Sequence, residues 1–207
     1  MKMLATCAYD AFIQMKEIIW KRTLYRQNEV IVFIPDEKDL DQLNSAASKR
    51  MATFLMTLKE TFADLSEILH AEWIDLKNNV FNINLPVKFH YPEKYTLSTR
   101  LIRMLNALPK KNKKIFPMNY RTAYSCLDAL CRKAAVKFQN PALHQISFKS
   151  FRYWGGSMIA YHSNGNAVTI ARVLRHKSWK STQNTYIPLS SKKKILRLPL
   201  QLLLRRY

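Results

Sequence analysis

Lys149 and Arg152 stand three residues apart, so on a helix both project from one face. An apolar stretch, Ala167 to Leu174, follows and ends in Arg175-His176-Lys177; Tyr186 comes ten residues after His176. In that order these side chains could hold and open a phosphodiester. An arginine can grip two phosphate oxygens bidentately, a histidine can donate or position a proton, and a phenol oxygen can bond covalently to phosphorus. The competing reading is structural: helix-surface charge for Lys149 and Arg152, and a core ring for His176. No P-loop, GxGxxG or HExxH occurs, so this chemistry calls for no nucleotide or metal cofactor.

Composition narrows the partner. Thirty-four Lys and Arg against fourteen Asp and Glu leave a formal charge of +20 over 207 residues. Such a balance implies a polyanion, with nucleic acid the first choice and an anionic membrane surface the second. At 48% hydrophobic residues the chain has ample material for a core, and intrinsic disorder is excluded. Cys7, Cys126 and Cys131 lack metal-ligand spacing and read as reduced core thiols. No apolar run approaches a membrane span. The N-terminus carries Asp10 and Glu17 and lacks a signal-peptide core, so the expected compartment is the cytoplasm.

The elements that must position these residues are mostly helical. Residues 1–24 read as one amphipathic helix, followed by a basic, extended linker. Asp36 is a candidate N-cap for a helix through Leu43. Residues 49–69 carry a continuous apolar face broken by a turn near 61–63. Val80 to Asn84 alternates as a strand, with Asn78-Asn79 as a turn before it. Val87 to Tyr91 lies between Pro86 and Pro92, and Tyr95-Thr96-Leu97 is expected to pair back on it. Ser98 caps a helix over 99–108, and Tyr120 to Lys137 forms a long one. Ser147 or Ser150 opens the helix that carries Arg152 and runs to about Tyr161. Asn164-Gly165-Asn166 turns into a helix over 167–174, and Ser181 or Thr182 opens the one that carries Tyr186. The expected class is mainly α with a small antiparallel β-sheet (α+β). The tail, 191–207, is Leu-rich and basic.

The order and wording of this last third resemble the C-terminal box of the tyrosine recombinases (phage integrases), archaeal integrases in particular. Phe33-Ile34-Pro35, Ala52-Thr53-Phe54-Leu55, Trp73-Ile74-Asp75-Leu76, Leu101 to Pro109, Ile115-Phe116 and Ile146-Ser147-Phe148 keep register with that family over nearly the whole chain. The resemblance implies a catalytic domain at 31–190, a remnant of the clamp domain and its linker at 1–30, and a tail at 191–207. It implies DNA strand cleavage and rejoining through a 3′-phosphotyrosyl link, in integration or excision of a mobile element. Lys149 and Arg152 stand at the family's HxxR, written KxxR here. His176 stands at the His of LGH, and Tyr186 at the nucleophile. Lys88, at a hairpin tip, stands at the general acid, with Lys94 as its competitor. Lys149, Arg152, Arg175, Lys177 and Lys180 would contact DNA. The chain would act as a homo-oligomer, or beside an active recombinase.

Four departures bear on activity. In Glu60-Thr61-Phe62-Ala63-Asp64 the family's Gly becomes Phe62, and its first catalytic Arg becomes Asp64. Arg175 replaces the Gly of LGH, where a positive φ would strain any other residue. The interval from His176 to Tyr186 is one residue longer than usual, which on a helix turns the ring by about 100°. These predict impaired cleavage or, alternatively, a decayed DNA-binding relative.

Overall fold

A computed structural model describes residues 33–87 and 90–177, together with Phe12, Met15, Trp179, Thr182 and Tyr186. The chain divides into two units, Met1–Val32 and Phe33–Tyr207. In the first, Phe12 and Met15 are helical; the rest of the expected 1–24 helix, and the 191–207 tail, lie outside the described residues.

The second unit opens with helix α1 (Glu37–Ala46), where Asp36 and Asp39 form a capping box. Helix α2 (Lys49–Thr61) follows from Ser48, whose side chain accepts from Met51 N–H. Its buried threonines cost little, because Thr53, Thr57 and Thr61 each donate to the carbonyl four residues back, at 2.7–2.8 Å. The expected break falls at Phe62, which adopts φ +51° and sends its N–H to the Leu58 carbonyl. Asp64 then caps α3 (Leu65–His70) in a capping box with Glu67.

The sheet is three-stranded and antiparallel, in the order β1 (Leu76–Lys77), β2 (Val80–Ile83), β3 (Glu93–Thr96). Asn78 and Asn79, both at positive φ, make the first turn. Here the expectation needs correction. The strand after Pro92 pairs with β2, Phe81 facing Tyr95, and not with Val87 to Tyr91. Buried Phe81 and Tyr95 gain apolar burial in that register, whereas Pro86 and Pro92 lack the donors a ladder requires. Among the described residues between β2 and β3 none joins a strand, and His90 makes an isolated bridge with His176.

Helix α4 (Thr99–Asn106) starts from Ser98, which also gives its N–H (2.8 Å) and hydroxyl (2.5 Å) to Glu60. The end of α2 is thereby tied to the start of α4. Helix α5 (Tyr120–Phe138) leads through a 3-10 turn (Pro141–Gln145) to α6 (Phe148–His162), capped by Ser147 rather than Ser150. Asn164 and Gly165, both at positive φ, turn the chain into α7 (Ala167–Val173). The core sits between α2, α5 and α6, where the Phe54 ring meets Phe116 and Phe148 edge-on at 4.9 and 5.8 Å. Cys131 is buried there, but Cys126 is exposed, contrary to the core reading of both. Among the described residues no helix is long and apolar enough to cross a membrane.

Candidate active site

The site forms where two chain reversals meet the middle of α6. Arg152, 8% exposed, donates to the Phe62 carbonyl at 2.5 Å and to the Leu174 carbonyl at 2.6 Å. Both acceptors belong to turns built on a left-handed residue: Phe62 itself, and Arg175 at φ +62°. After α7 the Arg175 N–H bonds the Arg172 carbonyl and the His176 N–H bonds the Ala171 carbonyl. That pattern is a Schellman cap, with arginine in the position glycine favours. Each left-handed side chain costs on the order of 1 kcal/mol, and each has a visible compensation. The Phe62 ring lies on the bare backbone of Gly155, where a Cβ would collide with it. Arg175 forms a buried ion pair.

Arg175 is 1% exposed, and its two Nη atoms meet Glu67 Oε1 and Oε2 at 3.1 and 2.5 Å. Glu67 also accepts from the backbone N–H of Asp64 (2.8 Å) and Val87 (3.2 Å), and from His90 Nδ1 (3.3 Å). Burial pushes the Glu67 carboxyl up, but the hydrogen bonds from His90 and Arg175 outweigh it and bring it down to about 2. On its other edge His90 Nε2 faces Arg152 Nη2 at 3.1 Å. A guanidinium only donates, so Nε2 accepts and the ring hydrogen sits on Nδ1. A continuous buried chain therefore runs Arg175–Glu67–His90–Arg152. Asp64 lies beside it, 3.7 Å from His90 Nδ1.

His176 and Tyr186 close the site. His176 Nδ1 lies 2.6 Å from the Thr182 hydroxyl, and its ring centroid is 6.4 Å from that of Tyr186. Burial and the neighbouring Arg152 and His90 hold His176 down at about 4, so it is neutral at pH 7. Tyr186 is 3% exposed, and its ring rests on Gly156, where a Cβ would overlap it. Burial raises its phenol far above the ordinary range; Arg152 pulls it back only in part, while Tyr153 and Asp64 push it further up. The extra residue between His176 and Tyr186 does not carry the ring away. Thr182 and Tyr186, four residues apart, are both helical and both buried.

Arg152, His176 and Tyr186 are thus brought together. Lys149 is exposed on the first turn of α6 and does not join them. Arg175, expected to touch DNA, is buried and bonded to Glu67, whereas Lys177 is exposed. Lys88 and Lys180 lie outside the described residues, and Lys94 is exposed within β3, opposite Asn82. Arg50 bonds the Pro117 carbonyl at 2.9 Å, about 18 Å along α2 from Phe62, and so does not replace the arginine missing at Asp64. Sequence reasoning missed His90 and the pairing of Glu67 with Arg175. The available signals were a histidine between two prolines and an acid three residues after Asp64. Among the described residues no cluster of His, Cys, Asp and Glu suits a metal ion.

No family model matches the chain, and no curated protein does. Solved structures do. Lambda integrase, as a dimer bound to a COC′ core site, superposes with a TM-score of 0.65 at 12% identity, over 95% of this chain and 74% of that one. XerA recombinase gives 0.59 at 15% identity, over 99% and 73%. XerH site-specific recombinase, in a post-cleavage complex with palindromic difH substrate, gives 0.52 at 15% identity, over 77% and 50%. At such identities the likeness is one of fold, and the chain has the catalytic-domain fold of the tyrosine recombinases.

Proposed function

We propose that the protein binds double-stranded DNA and breaks and rejoins a strand through a 3′-phosphotyrosyl link to Tyr186, as a site-specific recombinase. The observation that carries this reading is the convergence of Arg152, His176 and Tyr186 on one centre in this fold. Arg152 retains donors beyond those given to Phe62, Leu174 and His90, and turns them to the phosphate. Thr182 orients the ring of His176, which is neutral at pH 7 and so can accept a proton. The phenol of Tyr186 passes its proton to that ring as its oxygen attacks phosphorus, the P–O5′ bond breaks, and the departing 5′ oxygen takes a proton from Lys88. The neighbours of Lys88 support that role, since Val87 N–H and His90 Nδ1 both reach Glu67 at the site. Lys149, Lys177 and Lys180 hold flanking phosphates, whereas Arg175 positions Glu67. Residues 1–30 belong to a clamp domain and its linker, 31–190 form the catalytic domain, and 191–207 a basic tail. The protein acts in the cytoplasm on a mobile element, as a homo-oligomer on DNA.

Asp64 favours a second reading, a DNA-binding relative that cleaves poorly and pairs with an active recombinase. Its carboxylate raises the Tyr186 phenol and stands where an incoming phosphate would meet like charge. A nicked suicide duplex separates the two. Under the first reading it yields a small covalent adduct that disappears in Tyr186→Phe. DNA binding with no adduct from any variant, Asp64→Arg included, leaves only the second.

A further inference from the structure

Beside His176 opens a cavity of about 410 Å³, whose walls include Tyr91, Glu93, Arg172, Lys177 and Trp179. Two of these are large aromatic rings left in water: Tyr91 is 52% exposed and Trp179 50% exposed. The Lys177 ammonium lies 5.6 Å from the centre of the Tyr91 ring, within cation–π range. Arg172 and Lys177 are exposed, and among the described lining residues Glu93 brings the one carboxylate.

The backbone that carries the Tyr91 ring is anchored at both its polar groups. Its N–H donates to the Arg175 carbonyl at 3.1 Å, and its own carbonyl accepts from Arg175 Nη1, also at 3.1 Å. Arg175 is in turn locked to Glu67, and the adjacent His90 bridges to His176. The left-handed arginine after α7 therefore builds a fixed aromatic wall next to the reacting centre. A surface fixed before binding loses little freedom when a ligand arrives.

The geometry points to a nucleobase subsite. An unpaired or extruded base, next to the phosphate held by Arg152, stacks on Tyr91 and Trp179. Arg172 and Lys177 take the flanking phosphates. Glu93, one of whose oxygens accepts from Lys94 N–H, offers the other to an exocyclic amino group. Aromatic faces interleaved with cations suit a single-stranded base, because every base has a π-face and the backbone is anionic. This inference rests on the DNA-binding reading above and adds which feature of the strand is recognised.

The test compares a paired duplex with the same duplex carrying one unpaired 2-aminopurine. The full-length protein should bind the bulged duplex about tenfold more tightly, with 2-aminopurine emission quenched by stacking. Trp179→Ala and Tyr91→Ala should each bring that ratio close to one and leave paired-duplex affinity within about twofold. Trp179→Phe, which keeps a ring, should restore most of it. Tight binding of both duplexes with no preference, or a preference that survives both alanine variants, overturns the subsite and leaves the DNA-binding reading intact. Failure to bind either duplex overturns both.

Discussion

Asp64→Asn tests the electrostatics of the site without dismantling it. Asparagine caps a helix as well as aspartate does, so α3 keeps its start. What is lost is one negative charge, on a side chain only 13% exposed. From Asp64 to His90 is 3.7 Å and from His90 to Arg152 3.1 Å, which puts the carboxylate within about 9 Å of the guanidinium across the imidazole. At an effective dielectric of about 20, a unit charge at that distance acts on a bound phosphate with about 2 kcal/mol. Removing it should raise the rate of adduct formation by up to about thirtyfold, and it also lowers the Tyr186 phenol towards use as a nucleophile. Asp64→Arg adds a favourable term of similar size but forfeits the cap, about 1 kcal/mol. The assay is time-resolved adduct formation on a nicked suicide duplex, read on a denaturing gel. The expected order is Asp64→Arg at or above Asp64→Asn, both above wild type, with Tyr186→Phe inactive. Abundant wild-type adduct, or an Asp64→Asn rate equal to wild type in a protein with unchanged circular dichroism, would refute the reasoning.

DNA affinity should fall steeply with added salt, because it rests on lysine and arginine contacts to phosphate; a flat response in a polarisation titration contradicts this. Gly156→Ala favours the helix by about 1 kcal/mol yet drives the Tyr186 ring from its seat. Its phenol should then titrate closer to the ordinary tyrosine range by ultraviolet difference spectroscopy. His176 binds its proton at about 4 in the fold and about 6.5 in the unfolded chain. The unfolded state thus takes up the proton first, and stability falls as pH drops from about 6.5 to about 4. Glu67, depressed to about 2, adds a second loss below about 4.5. In urea titrations across pH, His176→Gln should flatten the first window and leave the second.

Much of this was legible in the residues alone. The caps at Asp36, Ser98 and Ser147, the break after Thr61 and the Asn164-Gly165-Asn166 turn are local chemistry, and each appears where the spacing places it. Arg152, His176 and Tyr186 were likewise readable, because their order and intervals lie within one continuous segment. Pairing across the sheet was misjudged. Alternation marks a strand, but the choice of partner depends on which rings find a common buried face, here Phe81 and Tyr95.

The sequence by itself determined the helical class, the basic partner-seeking surface and the identity of the cluster. Only the tertiary structure decided what surrounds it. Arg175 reads as a surface cation until Glu67, 108 residues earlier, is seen to receive it. His90 stands between two prolines in the sequence, but its role exists only between Glu67 and Arg152. The physical reason is range. Caps, turns and helix faces are set by groups within a few residues of one another, whereas burial and charge pairing join groups that only the closed chain brings together.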